Sequence, residues 1–360
     1  MWKSILVSLV IIGTILFIGQ LPATPQRLIT PLSNEEEQSF LQKLVDSKIF
    51  EENKERVRAA PVDWAKGEGK PHPLMAAPAY LAVDKNGDVV YSANPDVRRS
   101  PASLTKLMTA MVVLDIVSPD EVFEVPKEAV GVEPTALLLE QGEKLLVREL
   151  LEAALITSAN DAAETLARGA AKKLGGSKDV FIRLMNEKAK SMGLRDTRFK
   201  NPTGYDEDGQ FSTARDLAKI AYWAAGNYPI IKEIIMTHSA SISGTKDHKP
   251  YELPNWNALL GIYPGVDGVK IGNTEKAGHV TIVTSKRGQE RFMVVLLGAP
   301  DRKARDLWAA ELLDSAFVNV GVRPARVTWT MVKTRYRQWS EQLSRAQIIT
   351  EEYKNEYQKE

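Results

Sequence analysis

A serine and a lysine three residues apart are the first candidates for chemistry in this sequence. Ser103 and Lys106 belong to residues 101–114, which read as a helix that is apolar on nearly every side. At this spacing both side chains leave one face of the first helical turn. The positive end of the helix favours negative charge on a reacting oxygen, and apolar surroundings favour a neutral lysine that accepts a proton. The pair is typical of a serine nucleophile with a lysine base.

Two further short motifs follow in a fixed order. Ser158 and Asn160 lie in a polar turn between two predicted helices, and Lys270 and Gly272 end a predicted strand. Each motif alone is weak evidence, and Ser103 alone is better explained as a helix-capping serine. The same patterns recur by chance at Ser243–Lys246, Ser92–Asn94, Lys173–Gly175 and Lys286–Gly288. The order and the structural context of the three motifs are what favour a catalytic interpretation.

Composition excludes several other kinds of chemistry. The 360 residues have a formal net charge of +1, which argues against a nucleic-acid partner held by bulk electrostatics. The chain contains no cysteine, so thiolate catalysis, disulfides and cysteine metal sites are excluded. The sequence has neither a Gly-x-Ser-x-Gly nucleophile motif nor a glycine-rich phosphate loop. A zinc hydrolase would lack its ligands, since no His-x-x-x-His pair occurs among His72, His238, His248 and His279.

Patterning divides the chain into four segments. Residues 1–23 combine a short basic start with a long apolar run, which indicates an export signal or a membrane anchor. Residues 24–75 are predicted to be a stalk and linker with one short helix, and residues 76–322 to be the main domain. Residues 323–360 are a charged tail with aromatic residues at helical spacing. This tail is predicted to form either an amphipathic helix that contacts a membrane or partner, or a helix packed on the domain.

The order of predicted elements indicates the fold class. Asn86-Gly87 between two apolar runs predicts a hairpin before the Ser103 helix, and a second hairpin is centred on Arg287-Gly288. Helices dominate between them, including one over residues 161–174 with Asp161 as its cap and Glu164 as its third residue. The sequence therefore predicts an α/β protein of the α+β type. One antiparallel sheet would be built from both ends of the domain, with a helical lobe inserted between them.

Residues 78–322 resemble the serine D-alanyl-D-alanine carboxypeptidases, the low-molecular-weight penicillin-binding proteins of peptidoglycan metabolism. The similarity extends beyond the three motifs. It includes Pro101-Ala102-Ser103-Leu104-Thr105-Lys106, Asn201-Pro202-Thr203-Gly204, Ser212-Thr213-Ala214-Arg215-Asp216 and Val266-Asp267-Gly268-Val269-Lys270. The resemblance implies the fold shared by penicillin-binding proteins and serine β-lactamases, and a reaction without a metal or organic cofactor.

The resemblance also implies a role for each motif residue. Ser103 would attack the carbonyl of the penultimate D-alanine, with Lys106 as general base and Ser158 relaying a proton to the leaving D-alanine. Asn160 would hold the substrate amide and orient the lysine, and Lys270 would attract the terminal carboxylate. On the same strand, Gly272 would let the peptide approach as an added β-strand. The oxyanion hole would consist of the backbone N–H groups of Ser103 and Asn273.

Two positions depart from the family pattern. The third motif of the family is Lys-Thr-Gly, but the central residue here is Ile271, which has no hydroxyl to bond the substrate carboxylate. Loss of a hydrogen bond to a charged group costs about 1.5–3 kcal/mol, or roughly ten- to a hundredfold in rate. Trp256 stands where some members of the family have an arginine. The expectation is a serine hydrolase that retains its nucleophile but has weakened carboxypeptidase activity.

Two alternatives remain open at this stage. A serine β-lactamase shares the three motifs but needs a carboxylate that activates water, and no Glu-x-x-Leu-Asn stretch follows Ser158. A non-catalytic or penicillin-binding homologue of the cell wall would tolerate Ile271. The expected partners are peptidoglycan stem peptides, β-lactams as acylating inhibitors, and the cytoplasmic membrane through the N-terminal segment. The expected location is therefore extracytoplasmic, either anchored at the cell envelope or secreted.

Overall fold

A five-stranded antiparallel sheet forms the centre of the protein, whose computed structural model describes residues 64–132, 135–341 and 344. The strand order is β2-β1-β9-β8-β7, so β7 lies at an edge with one side unpaired within the sheet. Two short hairpins, β3–β4 and β5–β6, lie outside it. The strands are β1 (Ala79–Asp84), β2 (Val89–Ala93), β3 (Val122–Glu124), β4 (Lys144–Leu146), β5 (Ser239–Ile242), β6 (Tyr251–Pro254), β7 (Val266–Thr274), β8 (Gly278–Arg287) and β9 (Glu290–Ala299).

Helices cover both faces of this sheet. One face packs against α7, where the Phe292 and Phe317 rings meet edge to face at 4.9 Å. The other face and α1 share the larger apolar core with the rest of the helical lobe. The helices are α1 (Lys106–Ile116), α2 (Val147–Glu152), α3 (Asn160–Lys173), α4 (Lys178–Ser191), α5 (Ala214–Asn227), α6 (Pro229–Ile235), α7 (Arg302–Asn319) and α8 (residues 329–341). The predicted fold class, with a sheet from both chain ends and an inserted helical lobe, is confirmed.

The central helix is buried on almost every side, as its uniformly apolar sequence predicts. Ten of the eleven residues of α1 are buried. The helix begins at Lys106, however, and not at Pro101, because residues Ala102–Thr105 form a 3-10 turn in front of it. Ala102 occupies the left-handed region with φ of 48°, which a non-glycine residue adopts only when its surroundings enforce it. The turn therefore places Ser103 one helical turn ahead of Lys106.

The predicted cap of α3 was wrong. Ala159 is the N-cap residue, and Asp161 lies inside the first turn. Its carboxylate accepts hydrogen bonds from the backbone N–H groups of Leu137 at 3.1 Å and Leu139 at 3.0 Å. Asp161 therefore holds the loop that contains these two leucines against α3. Glu164 instead forms ion pairs on the helix surface, with Arg168 and Lys178.

The described parts of both flanking segments pack on the domain. Trp64, within the predicted linker, stacks on Tyr222 with ring centroids 4.2 Å apart. In α8, Val332, Tyr336 and Trp339 are buried, so the described part of the tail packs on the domain. No helix in the described ranges is both long and apolar enough to cross a membrane. The predicted signal or anchor, residues 24–63 of the stalk and residues 345–360 of the tail lie outside the described residues.

Candidate active site

Lys106 lies at the centre of the candidate site and connects three elements. Its Nζ is 3.0 Å from Ser103 Oγ, 2.7 Å from Asn160 Oδ1 and 2.7 Å from the carbonyl oxygen of Thr203. Its side chain is 1% exposed. The structure therefore brings the first two predicted motifs together around one buried amine.

The partners of Lys106 suit a neutral amine. Asn160 Oδ1 and the Thr203 carbonyl can only accept hydrogen bonds, so together they use two N–H bonds of Lys106. A neutral amine then has its lone pair for the Ser103 hydroxyl. Burial and the nearby charge of Lys270 lower the pKa of Lys106 well below its ordinary value, although Asp161 opposes them. The geometry and the electrostatics both favour proton transfer from Ser103 to Lys106.

The second motif also places Ser158 in an unusual position. Residues Ala153–Thr157 form a π-helical turn after α2, and Ser158 ends it in the left-handed region with φ of 69°. Its hydroxyl oxygen is buried and has no hydrogen-bond partner among the described residues. A buried, unsatisfied hydroxyl is costly, so it marks a place where a ligand or water would bond. Sequence reasoning named this serine, but the π-helical turn that orients it has no recognisable sequence signal.

The third motif lies on the edge strand β7, beside Ser103. A Cβ added to Gly272 would lie 2.7 Å from the backbone nitrogen of Ser103, so only glycine permits this approach. Lys270 is buried, and its Nζ donates to the carbonyl oxygen of Ile271 at 3.1 Å. Burial and the charge of Arg305 lower the pKa of Lys270 to about 7. Two residues beyond Ile271, Asn273 is exposed on the same strand.

The other chance matches to the motifs do not reach this site. Ser243 and Lys246 lie exposed in the loop between β5 and β6. The hydroxyl of Ser92 bonds to Gly69, on the far edge of the sheet. Among the described residues, no group of three histidine, aspartate or glutamate side chains is placed to hold a metal ion. The structure therefore offers one serine–lysine pair that is arranged for chemistry in the part of the chain it describes.

Structure adds two groups to which the sequence analysis gave no role. The carbonyl oxygen of Thr203 bonds Lys106, and Gly204 beside it has φ of 86°. The Asn201–Gly204 motif was visible in the sequence, but its contact was not. The second group is Arg305 at the start of α7, which is 2% exposed and bonded to Asp306 and Tyr336. The charge of Arg305 acts on Lys270, which is far from it in the sequence. No local sequence pattern predicts this interaction.

Comparisons with known proteins agree on one family. The family model for D-alanyl-D-alanine carboxypeptidases, peptidase S11, matches residues 66–301. The D-alanyl-D-alanine carboxypeptidase DacF of Bacillus subtilis is 34% identical over 273 residues, covering 74% of this chain and 69% of that protein. The carboxypeptidase DacA of Escherichia coli is 32% identical over 257 residues, which are 68% of this chain but only 62% of DacA.

A solved structure shows the same similarity. The DD-transpeptidase of Streptomyces K15 superposes with a TM-score of 0.64 at 29% sequence identity. The match covers 69% of this chain and 100% of that one. The match therefore extends over a complete chain of that protein.

Proposed function

Because the chain belongs to the peptidase S11 family of D-alanyl-D-alanine carboxypeptidases, we propose that it removes the terminal D-alanine from peptidoglycan stem peptides. The observation that best supports this activity is the Ser103–Lys106 contact of 3.0 Å, with the other two Lys106 bonds taken by pure acceptors. A serine acyl-enzyme mechanism follows from this arrangement.

In the acylation step, Ser103 Oγ bonds to the carbonyl carbon of the penultimate D-alanine while its proton passes to Lys106. The backbone N–H groups of Ser103 and Asn273 stabilise the oxyanion. The C–N bond then breaks, and Ser158 relays the proton from Lys106 to the departing amine. Asn160 keeps Lys106 in place and holds the substrate amide. Water then attacks the ester in a second step, which regenerates the Ser103 hydroxyl and releases the shortened peptide.

The peptide binds as an extra antiparallel strand along β7, whose outer edge is unpaired within the sheet. Lys270 provides the positive charge for the terminal carboxylate. Ile271 provides no hydroxyl at this end, so recognition of the carboxylate is weaker than in relatives with threonine. A non-catalytic wall-binding homologue is the competing function, because the same substitution would be harmless there.

Location and partners follow from the same family. Peptidoglycan lies outside the cytoplasmic membrane, so the domain acts there, held by residues 1–23 or released after their cleavage. β-Lactams acylate Ser103 as substrate mimics. The reaction needs no metal or organic cofactor.

Mass spectrometry of the full-length chain after exposure to benzylpenicillin tests this function, with Ser103→Ala as the matched control. We expect a persistent adduct on Ser103 and none on the variant. Rapid turnover of penicillin without an adduct would indicate a β-lactamase. Absence of both in a protein shown to be folded by circular dichroism would refute the enzyme and favour the wall-binding homologue.

A further inference from the structure

One carboxylate outside the three motifs joins the chain segments that carry the proposed oxyanion hole. Oδ1 of Asp206 accepts hydrogen bonds from the Ser100 hydroxyl and from the Thr274 hydroxyl, each at 2.7 Å. Its Oδ2 accepts a hydrogen bond from the backbone N–H of Lys276 at 2.8 Å. An ionised carboxylate only accepts hydrogen bonds and has room for all of these, and its charge strengthens each of them.

The two hydroxyl donors are close in sequence to the two halves of the proposed oxyanion hole. Ser100 lies three residues before Ser103, and Thr274 directly follows Asn273 at the end of β7. Asp206 comes from a third segment, the loop before α5. The backbone N–H groups of Ser103 and Asn273 are the proposed oxyanion donors. Asp206 therefore connects the segments of both donors, through the side chain of a near neighbour of each.

The oxyanion hole depends on such a connection because its two donors belong to different elements. Ser103 lies in the 3-10 turn before α1, whereas Asn273 lies on the edge strand β7. The two elements adjoin at Gly272, where an added Cβ would lie 2.7 Å from the Ser103 nitrogen. The backbone pairing of β7 runs to β8, which fixes the strand to the sheet but not to the turn. Oxyanion donors act at about 2.7–3.1 Å from the oxygen, so a small displacement of β7 would separate them.

The Thr274 hydroxyl also holds the chain that leaves β7. It accepts a hydrogen bond from the backbone N–H of Ala277 at 3.1 Å while it donates to Asp206. The N–H of Lys276, which bonds the other carboxylate oxygen, belongs to the same β7–β8 turn. The carboxylate is thus attached to the strand end and to the turn that follows it. The Ser100 hydroxyl attaches it to the segment that precedes the proposed nucleophile.

We propose that Asp206 is a positioning residue, which holds the end of β7 against the turn of Ser103 so that the two N–H donors of the oxyanion hole meet one oxygen. Asp206 acts through Ser100 and Thr274 and does not itself contact the substrate. This inference rests on the proposed function, because it concerns the acylation step of that reaction. A carboxylate that only stabilised the fold would not act selectively on the tetrahedral oxyanion, and this difference supplies the measurement.

The test measures acylation and tetrahedral adduct formation in the full-length protein. Asp206→Asn keeps the shape of the side chain, but its amide nitrogen cannot accept a hydrogen bond. We expect the second-order rate constant for acylation of Ser103 by benzylpenicillin to fall about ten- to a hundredfold. The affinity for acetamidomethylboronic acid, which forms a tetrahedral adduct with a serine hydroxyl, should fall by a similar factor. Lower stability alone reduces the folded fraction, but not the affinity of the folded molecules.

Asp314 on α7 provides a matched control. Its Oδ1 accepts hydrogen bonds from the Tyr263 hydroxyl at 2.8 Å and the Ala325 N–H at 2.6 Å, and its Oδ2 accepts one from the Arg326 N–H at 2.9 Å. The carboxylate therefore has donors on both oxygens in the same arrangement as Asp206, but these donors lie outside the three motif segments. Asp314→Asn should lower the melting temperature without changing the acylation rate constant or the affinity for the boronic acid.

Two variants at Thr274 separate the effect of the hydroxyl from the effect of side-chain shape. Thr274→Val removes the bond to Asp206 and should slow acylation about tenfold. Thr274→Ser retains a hydroxyl and should recover most of this loss. Because this pair changes a single bond, it also decides the question if Asp206→Asn fails to fold.

Two results would overturn the inference while leaving the proposed function intact. One is a lower melting temperature in Asp206→Asn with unchanged acylation and unchanged affinity for the boronic acid, which would indicate a purely structural role. The other is an equal loss in Thr274→Val and Thr274→Ser, which would show that the hydroxyl bond does not matter. If the wild type itself forms no penicillin adduct on Ser103, the proposed function fails, and the inference fails with it.

Discussion

At the scale of single residues, the proposed mechanism makes the activation of Ser103 depend on the protonation state of Lys106. Burial favours the neutral amine, the charge of Lys270 favours it further, and Asp161 opposes both. The net effect is a pKa well below that of an ordinary lysine, so the basic form is present at lower pH than usual. Because the charge of Lys270 contributes to this lowered pKa, the activity should depend on Lys270 even though Lys270 is not the base.

This dependence predicts a shift in the pH profile. We expect kcat/KM for a D-Ala-D-Ala peptide with an amidated C-terminus, which has no carboxylate for Lys270 to bind, to rise with pH as Lys106 loses its proton. Lys270→Met removes a nearby positive charge, so the pKa of Lys106 should increase and the acidic limb should move to higher pH. Lys276→Met is the control, because Lys276 lies exposed at the end of the same hairpin and pairs with Asp208. An acidic limb that stays in place in Lys270→Met would contradict this account.

Ile271 gives the second prediction at this scale. Ile271→Thr places a hydroxyl beside the carboxylate end, and kcat/KM for the free-acid peptide should rise roughly ten- to a hundredfold. Ile271→Val is the matched control, since valine keeps the branched shape without the hydroxyl. Steady-state hydrolysis of the two variants settles the question. A threonine variant no faster than the valine variant would show that the hydroxyl is unimportant here.

At the scale of elements, the turn at Asn201–Gly204 helps to position the Lys106 amine, which donates a hydrogen bond to the Thr203 carbonyl. Gly204 has φ of 86°, and an added Cβ would lie 1.8 Å from the carbonyl oxygen of Ala102. The turn therefore packs its backbone directly against the 3-10 turn that holds Ser103. The Asn201 side chain accepts the Gly204 N–H at 2.8 Å and stabilises the left-handed conformation.

Gly204→Ala should therefore damage both stability and activity. The left-handed backbone alone costs an alanine about 1–2 kcal/mol, and the clash with Ala102 adds to this. We expect a lower melting temperature and slower acylation of Ser103 by penicillin. Gly209→Ala isolates the backbone cost, because Gly209 has φ of 82° but its added Cβ would meet only Lys200, at 3.4 Å. Equal effects of the two substitutions would mean that the close packing does not matter.

The elements also show how far sequence reasoning reaches. Periodicity and turn signals predicted the sheet and the buried helix, which are local or depend on apolar patterns. The same reasoning misplaced the cap of α3, because the carboxylate of Asp161 bonds a loop more than twenty residues away. The contact of Thr203 with Lys106 was also out of reach, since a backbone carbonyl leaves no mark on residue type. In both cases the contact joins residues that are far apart in the sequence, so a local sequence pattern does not predict it.

At the scale of the whole molecule, two buried lysines that form no ion pair with a described residue lower the stability of the folded chain. Lys106 and Lys270 are each no more than 2% exposed, and each has a lowered pKa. An ammonium loses hydration in the interior that neutral acceptors restore only in part. Residues that make the site reactive therefore reduce the free energy of unfolding, a common relation between catalytic sites and stability.

The variant Lys270→Met should reveal the destabilisation caused by the buried lysine, as a change in how the free energy of unfolding depends on pH. The pKa of Lys270 is about 7 in the folded chain and about 10.5 in the unfolded chain, so between these values the unfolded state binds the extra proton. The free energy of unfolding of the wild type should then rise by about 1.4 kcal/mol per pH unit relative to the variant. Urea denaturation at pH 7, 8 and 9 measures this difference. The variant should be the more stable protein at pH 7, and its advantage should shrink steadily towards pH 9, because methionine has no proton to lose. Parallel curves for the two proteins would show that Lys270 stays charged in the folded chain.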